Sequence, residues 1–239
     1  MANILLVGYG RMGQAIEKIA IERGNTIVGI IDQDSQDLWN SLADLNADVA
    51  IEFTQPGSAF GNISKLLEAK IPTVVGTTGW LEQKPEIEKL AQTHKTGFFY
   101  ASNFSVGVNI FFNLNKVLAK LMNNFPDYNI DMEEIHHIHK LDEPSGTAIT
   151  LAEGIFENNN NKKDWKLNEQ KSQDDLAIVS TREGEVPGTH IINYRSEIDN
   201  IEIKHTAHNR KGFATGAVLA AEWMVGKEGT FGMNDMLNI

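Results

Sequence analysis

The chain opens with a short apolar run, Ile4 to Val7, that stops at glycines, the pattern of a strand buried on both faces. Apolar positions then recur at Ala15, Ile16, Ile19 and Ala20, a spacing that predicts a helix from Gly13 to Arg23. Thr26 to Ile31 is a second β-branched run, closed by Asp32. Asp48 to Phe53 and Thr73 to Val75 predict two further strands, separated by a helical stretch from Gly57 to Ala69. A helix over Lys84 to His94 leads to a fifth strand, Phe98 to Ala101. Strands alternating with helices predict a doubly wound, parallel α/β domain.

After Asn103 the texture changes. Val108 to Met122 has a helical apolar pattern, Ile130 to His137 reads as a strand, and Thr147 to Glu157 reads as a helix. The run NNNNKKDW that follows is polar up to its closing Trp165 and predicts a mobile loop. Ala177 to Thr181, His190 to Arg195 and Ile198 to His205 then succeed one another as strands without intervening helices. They predict an α+β region with a mixed, largely antiparallel sheet. Ala214 to Val225 is a helix of small and apolar residues that returns to the first domain. The expected division is residues 1–104 with 211–239, and residues 105–210.

The turn after the first strand carries the first chemistry. Gly8, Tyr9, Gly10, Arg11, Met12 and Gly13 fit G-x-G-x-x-G between a strand and a helix, which makes the first domain Rossmann-type. Glycines allow a tight turn and close backbone approach to a pyrophosphate, and the helix N-terminus offers N–H groups and a positive dipole end. Asp32 ends the second strand about 20 residues on, where an acidic side chain binds the adenosine ribose of NAD. Gln33 is neutral where a basic residue would favour NADP, although Arg11 could also reach a 2′-phosphate. The cofactor expected is NADH, NADPH or both. Two later strand ends add candidate loops: Gly76, Thr77 and Thr78, and Ala101, Ser102, Asn103 and Phe104. Phe104, Phe111 and Phe112 suit core packing better than ligand stacking.

Composition narrows the partners. With 21 basic and 32 acidic residues the formal charge is −11, a field that repels nucleic acid and anionic membrane. An anionic ligand therefore needs a local cationic site. The 239 residues include no cysteine, which excludes disulfides, thiolate metal sites and thiol nucleophiles. MANILLVGYG lacks the basic region and long apolar run of a signal peptide, and no segment approaches the roughly 20 apolar residues of a membrane span. A cytoplasmic protein is the expectation.

Into that acidic chain falls EEIHHIHKLDEPSGTA, residues 133–148, which gathers His136, His137, His139 and Lys140. A metal is disfavoured: on a strand His137 and His139 share one face, His136 and Lys140 the other, and the lysine ammonium repels a cation. The order strand, short loop, then Ser145, Gly146 and Thr147 opening a helix favours an anion pocket, with Ser145 as N-cap. Histidine moves protons near neutral pH. Beside a nicotinamide site, this set describes reduction of a small anionic substrate assisted by general acids.

HHIHKLDEPSGTA closely resembles the signature HHxxKxDxPSGTA of the dihydrodipicolinate reductase family. VGYGRMGQAI, IEFTQP, VVGTTGW, ASNFSVGVNIFF and HNRKGFATGAVLAAEW resemble further family blocks in family order, so the likeness covers most of the chain. It implies an NAD(P)H-dependent oxidoreductase of diaminopimelate and lysine biosynthesis, acting on a small dicarboxylate. By position, His136 matches the family's general acid/base, Lys140 its proton-donating lysine and His137 a substrate-binding histidine. Gly146 and Thr147 match the turn that binds a substrate carboxylate, and the glycine loop, Asp32 and the two later loops match the cofactor-binding segments. Arg210 matches a basic residue near the active cleft. The resemblance also implies closure between domains and a homotetramer assembled through the second domain's sheet. The sequence departs from the family pattern in a glycine loop one residue shorter than is common, a short segment from Asp32 to Asp48, Ile138 where Arg is frequent, and Glu143 where Ala is common. Two other functions remain open on the residues alone: a different nicotinamide-dependent dehydrogenase, or a non-catalytic dinucleotide sensor.

Overall fold

Residues Asn3 to Val7 form the first strand, β1, with Ile4 and Leu6 facing one layer and Leu5 and Val7 the other, all four buried. A strand covered on both faces has no polar side, which is why this run does not alternate. The computed structural model that shows this describes residues 1–209 and 211–239, in two compact units: residues 1–106 with 211–239, and residues 107–210.

In the first unit β1 is followed by α1 (Arg11–Glu22), β2 (Thr26–Ile31), β3 (Val49–Glu52), α2 (Pro56–Glu68), β4 (Thr73–Val75), α3 (Lys84–His94) and β5 (Gly97–Tyr100). The second unit holds α4 (Val106–Met122, entered from the first unit), β6 (Asn129–His136), α5 (Gly146–Asn158), β7 (Asp164–Leu167), β8 (Asp175–Arg182), β9 (Thr189–Arg195) and β10 (Asn200–Thr206). α6 (Lys211–Met224), β11 (Gly229–Phe231) and α7 (Met233–Leu237) complete the first unit. Its six strands run in the order β11-β5-β4-β3-β1-β2, and every pairing is parallel.

Ile16, Ile19 and Ala20 of α1 and the small residues of α6 cover one face of that sheet; Ile63 and Leu67 of α2 and Ile87 and Ala91 of α3 cover the other. The α6 residues had to be small, because a Cβ on Gly216 would stand 1.7 Å from the Phe104 carbonyl oxygen. The sheet order reverses beside β1, and the glycine loop leaves β1 at that switch point, where open α/β sheets bind ligands. β11 joins the sheet edge without having been visible as an apolar run, and two 3₁₀ turns, Gln36–Asn40 and Leu42–Leu45, fill the segment from Asp32 to Asp48.

The second unit's sheet is mixed, in the order β10-β9-β6-β8-β7. Its antiparallel ladders, β10 with β9 and β9 with β6, are longer than the parallel ones that join β8 to β6 and β7. α4 and α5 pack on one face, with Phe111, Leu151 and Ile155 against Ile130, Met132, Ile178 and Ile192. That face changes character along β6: Ile130 and Met132 are followed by Glu134 and His136, also buried. The register extends the change across the sheet. Met132 pairs with Ile178 and Ile192, while Glu134 pairs with Ser180 and His190, and His136 with Arg182. One covered face is thus apolar at one end and polar at the other.

Two local expectations are corrected. β6 ends at His136 rather than His137, because the chain turns there: the Lys140 N–H donates to the His137 carbonyl. The NNNNKKDW run is pinned rather than mobile. Asn159 is buried with its amide on the Ala119 carbonyl, the Asn160 N–H donates to Asn123 Oδ1, and Asp164 and Trp165 begin β7. Lys162 is 3% exposed, and its ammonium donates to Asn129 Oδ1 and the carbonyls of Gln173 and Asp175 at 2.8–2.9 Å. Burial pushes its pKa down, against the pull of Asp175, Asp174 and Asp131. Lys162→Met should keep the apolar stem yet take the ammonium donor from three acceptors, among them the carbonyl of buried Asp175. We expect a loss of about 2–3 kcal/mol in urea unfolding; an unchanged midpoint would show that the lysine is not the pin.

Candidate active site

The first unit supplies the anion-binding backbone. Gly8 has φ +94°, and a Cβ there would meet the Phe53 carbonyl oxygen at 2.1 Å; a Cβ on Gly13 would meet the Gly8 carbonyl oxygen at 2.2 Å. Both glycines are therefore demanded by packing of strand, loop and helix. Gly10 differs: nothing lies within 4 Å of its Cβ position, so its backbone is open to an approaching group. It caps α1 without a side-chain hydrogen bond, and the first turn carries no acidic residue, so the helix N-terminus keeps its positive end.

Gly8, Tyr9 and Gly10 line a cavity of about 620 Å³ with Asp32, Trp39 and Asn62. Gly10, Arg11 and Met12 line another of about 430 Å³ with Gly76, Thr77 and Thr78. The loop at 76–78 is braced from within: Thr77 Oγ1 accepts the Thr54 N–H at 2.7 Å, and the Trp80 indole donates to the Thr77 carbonyl. Below it Glu52 is buried, with one oxygen bonded by the Thr54 hydroxyl. Burial raises its pKa, against the opposing hydrogen bonds of Thr54, Thr77 and Asn62. An open glycine backbone, an uncapped helix N-terminus and an acidic residue on the rim fit a nicotinamide dinucleotide. Ala101 and Phe104 point inward, Phe104 stacking on Phe99 in the core, while Ser102 is exposed and Asn103 half-buried. Neither of these two cavities includes them.

In the second unit β6, β8, β9 and α5 converge on Glu134. Its carboxylate is fully buried and accepts the Ser145 N–H through both oxygens, at 3.0 and 3.1 Å. Ser180 Oγ donates to it at 2.8 Å and Arg182 Nη2 at 3.3 Å. His136 Nδ1 lies 3.4 Å and His190 Nε2 3.7 Å from the same oxygen, Oε2. Burying a carboxylate costs several kcal/mol. Hydrogen bonds to a charged group contribute roughly 1.5–3 kcal/mol each, so this set offsets the cost. Burial alone would raise the Glu134 pKa; the facing His136 and His190, with Ser145 and Ser180, outweigh it and hold the carboxyl far below its usual range.

Ser145 caps α5 as expected, its Oγ accepting the Ala148 N–H at 3.2 Å. Gly146 is exposed, with open space about its Cβ position, and Thr147 is half-buried, so the first free N–H groups of α5 face outward for an anion. His136 is buried beside His190, their rings 5.1 Å apart and edge-on. Its Nε2 lies where a Cβ on Gly188 would come within 3.0 Å, and Gly188 has φ +153°. His137 is half-buried in the turn. Lys140 is engaged: its ammonium bonds both oxygens of Asp142, at 2.7 and 2.8 Å. Arg182 ties that loop to the strand, donating to the Asp142 carbonyl at 2.7 Å. His139 is exposed, 3.4 Å from Glu185. Glu143 points toward Arg182 at 4.0 Å, and Ile138 is exposed. Arg210 lies outside the described residues.

His136, Lys140, Gly146 and Thr147 thus belong to one neighbourhood, whereas Glu134, Ser180, Arg182 and His190 were missed. Glu134 was within reach, since alternation puts it on the face of His136; the others needed the strand register. Glu134, His136 and His190 offer ligand atoms within 4.8 Å of one another, a spacing a metal could use. The carboxylate is already saturated by an N–H, a hydroxyl and a guanidinium, which argues for an anion and proton site instead. Burial pushes the His190 pKa down, ahead of the opposing pull of Glu134. The unfolded chain then binds a proton at His190 near its ordinary 6.5 that the folded chain refuses until lower pH, so stability rises with pH across that window. Melting temperature should fall as pH drops below about 6.5, and His190→Gln should flatten part of that slope. His205, also lowered by burial, keeps the remainder. A slope identical in the variant would remove His190 as its source.

Family comparisons agree with this geometry. The family model described as dihydrodipicolinate reductase, N-terminus, matches residues 2–104, and that for the C-terminus matches residues 107–237. A 4-hydroxy-tetrahydrodipicolinate reductase of Christiangramia forsetii is 50% identical over 99% of this chain and 98% of its own length. One from Akkermansia muciniphila is 36% identical over 100% and 99%. The fold is shared with a dipicolinate-bound dihydrodipicolinate reductase from Paenisporosarcina, at a TM-score of 0.82 and 23% identity, over 98% of this chain and 99% of that one.

Proposed function

The chain belongs to the dihydrodipicolinate reductase family, and we propose that it catalyses NAD(P)H-dependent reduction of 4-hydroxy-tetrahydrodipicolinate to tetrahydrodipicolinate in diaminopimelate and lysine biosynthesis. The observation that carries the reading is the buried His136 on the same carboxylate as the N-terminus of α5. One part can hold a substrate carboxylate and the other can move a proton.

The substrate loses water to give a conjugated cyclic imine, which then takes up a hydride and a proton. A bound reduced nicotinamide, NADH or NADPH, supplies the hydride. As electrons move toward nitrogen, the protein must deliver the proton, and His136 is the general acid for it. The Gly146 and Thr147 N–H groups hold one carboxylate, with His137 as a further substrate contact. Lys140, the proton-donating lysine by family position, provides positive charge beside the substrate, exchanging Asp142 for it. In the first unit the loop from Gly8 to Gly13 and residues 76–78 take the pyrophosphate side of the cofactor and Asp32 its ribose, with Ala101 to Asn103 contributing backbone. We assign the same family's homotetramer to this chain, through the sheet face bearing Ile135, Val179 and Ile191, which lie outside the helix-covered core. Among the described residues no helix is long and apolar enough to cross a membrane; a cytoplasmic location fits the cofactor.

The test follows reduced-nicotinamide absorbance with NADH or NADPH and freshly prepared substrate. Substrate-dependent loss of absorbance is expected, and its absence would leave a dinucleotide sensor or another dehydrogenase. His136→Gln should lower turnover roughly 10²–10⁴-fold with cofactor affinity retained; unchanged turnover would remove His136 from the role. Lys140→Ala should raise KM and lower kcat together.

A further inference from the structure

We propose that Glu134 is a positioning residue: one buried carboxylate fixes which nitrogen of His136 carries the delivered proton and fixes the helix end that binds the substrate. The proposal rests on His136 as the proton donor and explains how that donor is aimed. Glu134 lies two residues before His136 on the same face of β6, and the strands on either side present Ser180 and His190 directly opposite it. An ionised carboxylate only accepts hydrogen bonds. The His136 nitrogen that faces it, Nδ1, is buried, makes no hydrogen bond among the described residues and has Glu134 Oε2 at 3.4 Å; a proton there meets an acceptor, whereas a lone pair would meet the negative charge.

Nε2 is left as the working nitrogen. It projects past Gly188, where a Cβ would stand 3.0 Å from it. In the imidazolium, Nδ1–H stays against Glu134 while Nε2–H goes to the substrate. The neutral ring that remains has its lone pair on Nε2 and regains a proton from water. Meanwhile both carboxylate oxygens hold the Ser145 N–H, so the first turn of α5 cannot move without moving the same side chain. Donor and anion site therefore share one anchor.

Glu134→Gln preserves shape and breaks this logic. Its amide oxygen is drawn to the Oε1 position, where Ser180 and Arg182 donate, which leaves the NH₂ facing His136 Nδ1. Nδ1 must then accept, and the neutral ring is driven to the Nε2–H tautomer. Long-range ¹H–¹⁵N spectra of ¹⁵N-histidine protein, taken where His136 is neutral, should show Nδ1–H in the natural protein and Nε2–H in Glu134→Gln. We expect kcat to fall about 100-fold, the lower end of general acid–base effects, with NADH affinity within about twofold. Ser180→Ala removes a donor but keeps the charge, and should retain both the tautomer and most of the rate. An Nε2–H tautomer in the natural protein overturns the proposal without any variant, and so does a fully active Glu134→Gln or a Ser180→Ala as slow as it. Should the natural protein fail to reduce the substrate while the tautomer still follows Glu134, the family reaction is wrong and the positioning stands.

Discussion

A negative charge held out of water at the end of a sheet organises the second unit. Glu134 sits where β6, β8 and β9 stop being apolar on their covered faces, and every neighbour it has there donates or can donate a proton. Removing any one partner would leave a buried charge short of compensation, so Ser145, Ser180 and Arg182 hold one another's positions through it. The consequence reaches the loop as well. Arg182 contacts Glu134 and the Asp142 carbonyl together, so the segment that carries Lys140 is tied to the strand that carries His136.

The two units meet the same electrostatic problem by one means. Across a chain of charge −11, each unit presents a helix N-terminus whose N–H groups suit an anion. α1 opens uncapped at the bare backbone of Gly10, and α5 opens at Gly146 beyond its cap, Ser145. The difference in capping follows from surroundings. The α1 loop must admit a group close to its backbone, whereas Ser145 is buried between Glu134 and His190 and its hydroxyl and N–H are both committed.

Legibility divides along the same physical line. Local patterns gave the parallel strands of the first unit, because apolar runs closed by glycine or aspartate are written in consecutive residues. They also gave the Ser145 cap, which lies within eleven positions of the candidate residues His136 and Gly146. What stayed hidden depends on pairing. Ser180 and His190 meet Glu134 only through register, and nothing near either residue announces it. The NNNNKKDW run misled for the opposite reason: its polar side chains, read as solvated, donate to backbone carbonyls, Asn159 to that of Ala119 and Lys162 to those of Gln173 and Asp175. β11 was missed because three residues at a sheet edge leave no period to read.

The departures from the family pattern can be weighed by the same geometry. Ile138 and Glu143 lie in the exposed turn between β6 and α5, where a change of side chain alters no buried contact. Glu143 faces the guanidinium of Arg182 rather than the open N–H groups of Gly146, so its charge is met locally before it can oppose an anion at the helix. The shortened segment after Asp32 is closed by two 3₁₀ turns, whose Trp39 still lines the cavity shared by Gly8 and Asp32. Variation has therefore collected where solvent or a compensating charge absorbs it. Buried Glu134 has no such freedom, since its carboxylate meets protein donors where it would otherwise meet water.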